Sequence, residues 1–246
     1  ADHAGPKTAT RKAPAIAVSD LDAPVLRSRN QPVLMFGIML SAMLPLIDTT
    51  IANVAIPYMQ SALGATPESV MWALTSYIIA HAVAMPIASW LSDRIGSREL
   101  MILSVALFII TSMLCGIATS LEEMVLFRTL QGMFGAFIVP LGQTAILDTS
   151  RPSRHTQVMA FWVGPIMGPL AGGWLTENWN WRWVFYVNLP FGLLALIALM
   201  IGLPGHPRKK RRFDLLGFIL VGAFLASLQL LLDRGSHVDW FNSTEC

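Results

Sequence analysis

The feature that most limits what this chain can fold into is a series of apolar runs, each long enough to cross a lipid bilayer. Seven fall at about 33–55, 70–91, 99–118, 124–147, 157–175, 184–203 and 215–232. A helix rises about 1.5 Å per residue, so about 20 apolar residues cross a ~30 Å hydrocarbon core. The runs show no period-two alternation, which argues against barrel strands. A backbone in lipid must then satisfy its own hydrogen bonds, and helices do so. Composition agrees: 54% of residues are hydrophobic and 13% charged, where soluble domains carry about 25% charged residues. The sequence predicts an all-α polytopic membrane protein, with a six-helix bundle followed by a seventh helix.

Charge placement orients the helices. If the N-terminus is cytoplasmic, fourteen of the seventeen lysines and arginines fall on the cytoplasmic side. They comprise five in the N-terminal tail, Arg94 and Arg98, Arg151 and Arg154, and the run from Arg208 to Arg212. Basic loops stay inside, so this topology is the expected one, with residue 209 cytoplasmic and residue 62 external. The predicted layout is a disordered cytoplasmic tail over 1–30 and a six-helix bundle over 31–204. A basic loop over 205–214, a seventh helix over 215–232 and an external, truncated end over 233–246 follow. The basic run reads as a topology anchor touching anionic lipid; nucleic acid is not an expected partner.

Two full charges interrupt the apolar runs. Arg128 lies in MVLFRTLQGMFGAFIVP, and Gln131, Gly132 and Gly135 follow at i+3, i+4 and i+7 on the same helix face. An arginine at the centre of a membrane helix costs about 2.5–3.5 kcal/mol on insertion scales, so it normally finds a partner or a wet cavity. One reading makes this face, with Asn53, the wall of a polar substrate path. The other has Arg128 snorkelling to the nearer surface. Asp48, in LPLIDTTIANVAIP, is the second charge. It suits reversible protonation, with a structural ion pair as the competing reading. Counting along the helices puts Asp48 ~8 Å and Arg128 ~6–8 Å below the outer surface, so the two are predicted to couple.

Other stretches carry weaker signals. SWLSDRIGSREL forms a turn with Asp93, Arg94, Gly96 and Arg98. Gly96 allows positive φ, and Asp93 can cap the next helix or pair with an arginine. In VGPIMGPLAGG, Gly164, Gly168 and Gly172 recur every four residues beside Pro165 and Pro169, with Gly173 following. The pattern predicts a close-packed, kinked helix. His81 reads as a packing histidine and Cys115 as a small apolar filler. Trp179, Trp181 and Trp183 read as an interfacial belt.

These motifs together resemble the major facilitator superfamily, in its 14-helix branch of drug:proton antiporters of the EmrB/QacA type. LIDTTIANVAIP is similar to that branch's first-helix motif and SWLSDRIGSREL to the superfamily's loop pattern. RTLQGMFGA is similar to the fourth-helix pattern and GPIMGPLAGG to the helix 5 antiporter motif. WNWRWVFYVNLP resembles the start of the sixth helix. The resemblance covers about 33–232 and implies proton-coupled efflux of amphipathic or cationic drugs across the inner membrane. It implies Asp48 and Arg128 as proton-coupling residues and Asp93, Arg94, Gly96 and Arg98 as a gating loop. It also implies a second bundle beyond the seventh helix and, in Gram-negative cells, a periplasmic adaptor and outer-membrane channel. Ser89 and Ser97 depart from the loop pattern, and the fifth run is short. A metabolite or siderophore exporter, or a truncated non-transporting membrane protein, are the alternatives. No phosphate loop argues for an ATP-driven pump. No catalytic order or metal spacing argues for an enzyme, and no cofactor is expected.

Overall fold

The computed structural model describes residues 30–150, 180–205 and 213–235, with side chains to 232. Helix α1 (Gln31–Ala62) opens with Pro32 in its first turn, where backbone N–H groups lack partners in any case. It continues through Pro45 and Pro57 and ends seven residues beyond the run predicted at 33–55. Thr49 Oγ1 donates to the Pro45 carbonyl at 2.8 Å. A one-turn helix α2 (Pro67–Val70) follows, begun by a reciprocal cap between Thr66 and Ser69.

The run predicted as one helix over 70–91 is broken. Helix α3 (Trp72–Ala84) and helix α4 (Ile87–Ile95) are separated at Met85 and Pro86, and the span bends by 61° there. Proline lacks the N–H that would continue the ladder. Gly96, at φ +112°, then turns the chain into α5 (Ser97–Ile117). Few residues with a Cβ adopt that backbone, which explains the glycine. No side chain caps the start of α5, and Asp93 lies inside α4, so it does not serve as the predicted cap.

Helix α6 (Leu121–Thr149) is capped by Ser120, whose Oγ accepts from the Glu123 N–H at 3.2 Å. The short α7 (Trp183–Tyr186) leads into α8 (Asn188–Gly202), and α9 (Leu215–Gly235) follows. Five helices among the described residues are long and apolar enough to cross a membrane, and the bent α3–α4 pair makes a sixth. The predicted fifth run, 157–175, lies outside the described residues.

Helix α6 packs along α3 and α5, α1 packs along α8 and α6, and α8 also meets α5. Helix α9 lies against α3 with only 6% of its apolar window buried, against 50% for α1 and 56% for α5. The seventh helix is therefore an outer layer. Two apolar clusters fill the interior, one around Leu44, Phe108 and Ala136 and another around Ile51, Met124 and Phe185. Along α1, Asp48 falls between Leu44 of the first cluster and Ile51 of the second. Along α6, Arg128 falls between Met124 of the second and Ala136 of the first. The two charges thus form a polar layer between apolar ones.

Candidate functional site: a buried charge network

Asp48 and Arg128 are both fully buried, and Arg128 Nη1 donates to Asp48 Oδ2 at 2.5 Å. The depths counted from the sequence had placed them together, and here they form an ion pair. Arg128 does not snorkel: its carboxylate partner lies inside the bundle. Arg128 Nη1 also donates to Gln131 Oε1 at 3.1 Å. Gln131 returns to the carboxylate, its Nε2 donating to Asp48 Oδ1 at 2.9 Å. The i, i+3 spacing of Arg128 and Gln131 on α6 makes that triangle possible.

A third donor comes from α8. Asn188 Nδ2 donates to Asp48 Oδ1 and to Ser112 Oγ, each at 2.9 Å, and Ser112 Oγ donates to the Phe185 carbonyl at 2.9 Å. Cys115 Sγ donates to Gln131 Oε1 at 3.5 Å. The guanidinium carbon lies 4.6 Å from the Phe185 ring centroid and 5.5 Å from that of Tyr77. Arg128 Nε and Nη2 are buried without a hydrogen-bond partner among the described residues. Aromatic faces attract a cation through the ring quadrupole, which compensates in part for those unmade bonds. Among the described residues the carboxylate thus receives three donors, drawn from α6 and α8.

Sequence reasoning missed Asn188, Ser112, Cys115, Tyr77 and Phe185. Cys115, read as an apolar filler, touches the network through its thiol. Asn188 stood inside the quoted WNWRWVFYVNLP as one polar residue opening an apolar run; that is the signal that was available.

The four residues read as a substrate path separate. Asn53 is exposed, its Nδ2 donating to the Thr49 carbonyl at 3.0 Å. Gln131, Gly132 and Gly135 are buried inside the bundle. A Cβ built at Gly132 would collide with the Tyr77 carbonyl oxygen, and one at Gly135 would lie 3.2 Å from the Phe108 ring. These glycines bring α3 and α5 close to α6. That is a packing role.

The loop motif is also rearranged. Arg98 Nε donates to the Leu203 carbonyl at 2.8 Å and its Nη2 to the Met200 carbonyl at 3.0 Å, so it caps the end of α8. At the opposite end, Arg182 Nη1 donates to the carbonyls of Gly116 and Ala118, at 2.6 and 2.8 Å, closing α5 in the same way. Arg94 lies over the Trp90 ring at 5.3 Å. Asp93 lines a cavity of about 400 Å³ with Trp90, Phe213, Asp214 and Phe218, where α4 meets the start of α9. Trp181, predicted in an interfacial belt, is buried edge-on against Phe185, while Trp183 is exposed. His81 stacks on Tyr77 at 5.8 Å between centroids. Gly164, Pro165, Gly168, Pro169, Gly172, Gly173 and Trp179 lie outside the described residues.

Apolar spans packed around a buried ion pair define a multi-pass helical membrane protein. Residues 38–235 match the Major Facilitator Superfamily, and the chain belongs to that family. It is 37% identical over 220 residues to the multidrug export protein EmrB of Haemophilus influenzae, across 87% of this chain and 43% of that protein. It is 35% identical over 232 residues to the fatty acid resistance protein FarB of Neisseria gonorrhoeae, across 92% and 46%. The chain spans less than half the length of these curated relatives. Among solved structures, it is similar to the peptide transporter POT in complex with sulfate. The TM-score is 0.65 at 16% identity, over 89% of this chain and 49% of that one. A bacterial homologue of the human lysosomal transporter Spinster gives 0.55 at 21% identity, over 74% and 47%. These likenesses establish the fold.

Proposed function

We propose that this chain is the N-terminal six-helix bundle, with one further helix, of a proton-coupled exporter of amphipathic or cationic compounds in the cytoplasmic membrane. The observation that carries the reading is the buried Asp48–Arg128 pair, tied together by Gln131. Protonating Asp48 removes the negative charge that compensates Arg128 in a low-dielectric interior. The guanidinium then loses its counter-ion and must find other partners. A local charge change of that kind biases a two-state element. The second bundle, against which this one would rock, belongs to the longer protein implied by the relatives' length.

The substrate class comes from the relatives' names, multidrug export proteins among them. A second reading, export of an amphipathic acid, is favoured by the likeness to FarB over 92% of the chain. The basic loops support a cytoplasmic N-terminus. Asn53 is the polar residue of the proposed path that lies exposed, and we assign it to the substrate side of the bundle. Arg94 and Arg98 are assigned to the cytoplasmic gating end, and the glycines and prolines of 164–173 to the antiporter motif. An adaptor and outer-membrane channel would be partners in a Gram-negative cell.

The test is expression of the full-length gene in drug-sensitive cells, with and without a protonophore. Resistance to cationic amphipaths that the protonophore abolishes is the expected result. Resistance that persists without a proton gradient would contradict the coupling.

A further inference from the structure

Asp48 has three donors among the described residues, and they are not equivalent. Arg128 serves Oδ2, while Gln131 and Asn188 share Oδ1. Gln131 is itself held by Arg128, which donates to its carbonyl, and it sits one turn away on the same helix. Asn188 reaches Asp48 from a different helix, and its second bond anchors it to Ser112 on α5. Ser112 in turn is tied to the Phe185 carbonyl just before α8. Asn188 is buried to within 1% of its surface, so water does not replace its amide when it is removed. Among the described residues, the titratable and charged groups facing Asp48 are Arg128 from α6, Tyr77 from α3 and Cys115 from α5. Arg128 is the sole cation among them.

Protonation places an O–H where every neighbour donates. One of the two Oδ1 bonds or the Oδ2 bond must then give way. The Gln131 amide is locked by Arg128; the Asn188 amide is held by the Ser112 hydroxyl, which can serve a turned amide by swinging its one O–H from the Phe185 carbonyl to the amide oxygen. Asn188 is therefore the partner able to turn. We propose that Asn188 is a positioning residue for proton coupling: it holds the ionised Asp48 carboxylate, sets the pH at which Asp48 takes up its proton, and passes that event to α5 and α8 through Ser112. This rests on the reading of Asp48 as the proton carrier and adds a residue that the motifs did not assign.

The test uses the full-length protein in proteoliposomes, with drug–proton exchange followed against pH. Asn188→Leu removes one donor from the carboxylate and keeps the branched shape and heavy-atom count of the side chain. A hydrogen bond to a charged group is worth about one to two pH units of proton affinity, so the half-maximal pH should rise by about that much. Asn188→Asp places a second carboxylate against the first, and the pair should share a proton, moving the profile up further. Asp48→Asn is run beside them. If Asp48→Asn loses its response to the proton gradient while both Asn188 variants keep the wild-type pH profile, the inference about Asn188 is wrong and the Asp48 reading stands. If Asp48→Asn keeps the response, both fall. Should Asn188→Leu fail to insert, the Asn188→Asp profile alone decides, and an unshifted one overturns the proposal.

Discussion

Breaking the Asp48–Arg128 pair one partner at a time should cost more than removing it whole. In Arg128→Met the 2.5 Å ion pair and the 3.1 Å bond to Gln131 are lost, and Asp48 keeps only the two amide donors at 2.9 Å. In Asp48→Asn the guanidinium loses its counter-ion, with Nε and Nη2 already unpartnered among the described residues. Leaving one charge of a buried pair uncompensated costs about 3–5 kcal/mol, while replacing the pair by uncharged groups is often near neutral. Arg128→Met belongs at the lower end, because Gln131 and Asn188 still serve the carboxylate. The double variant buries no unpaired charge and should recover at least ~2 kcal/mol relative to the sum of the singles. The assay is thermal unfolding of the four full-length proteins in detergent, read as a double-mutant cycle. Residues in one network show coupling of about 0.5–3 kcal/mol, whereas independent sites add to within about 0.5 kcal/mol. A double variant whose loss equals the sum of the two single losses would refute the pairing argument.

Gly132→Ala puts a Cβ onto the Tyr77 carbonyl, 3.1 Å from the Tyr77 Cα. Backbone cannot rotate away as a side chain would, so α3 and α6 must separate, at about 1–3 kcal/mol for overpacking; the melting midpoint should fall, and an unchanged one would place these helices further apart. Arg98→Ala frees the Met200 and Leu203 carbonyls and Arg182→Ala those of Gly116 and Ala118. Each should loosen a helix end by about 1–2 kcal/mol, seen as faster amide exchange confined to residues near 200 or 117.

Much of the fold was legible because apolar length is a blunt physical demand: a segment either crosses the bilayer or does not. Depth along a helix was equally legible, and it placed Asp48 beside Arg128. Facing was less so. Periodicity correctly set Gln131, Gly132 and Gly135 on Arg128's side of α6, but the same stripe can line a wet cavity or a packed helix contact. Here it is packed, because Tyr77 and Phe108 fill the space beside the glycines. The bend at Pro86 was hidden because the apolar run continues through it. Asn188, Ser112 and Cys115 were missed for a different reason. Each is one small polar group in an apolar run, and its partner lies on a helix remote in sequence, as with the 140 residues that separate Asn188 from Asp48. Trp181 was assigned to an interface by residue type, yet the Phe185 ring and the Arg182 guanidinium enclose it.

The central claim is that Asp48 carries the coupled proton. It is tested by reconstituting full-length wild-type and Asp48→Asn protein into vesicles and measuring two fluxes on each: drug exchange without a gradient, and drug accumulation driven by an imposed pH difference. Asp48→Asn should retain exchange, because the neutral amide resembles the protonated carboxyl in size and shape, but should no longer accumulate drug against the gradient. Wild-type gradient-driven accumulation by Asp48→Asn would contradict it.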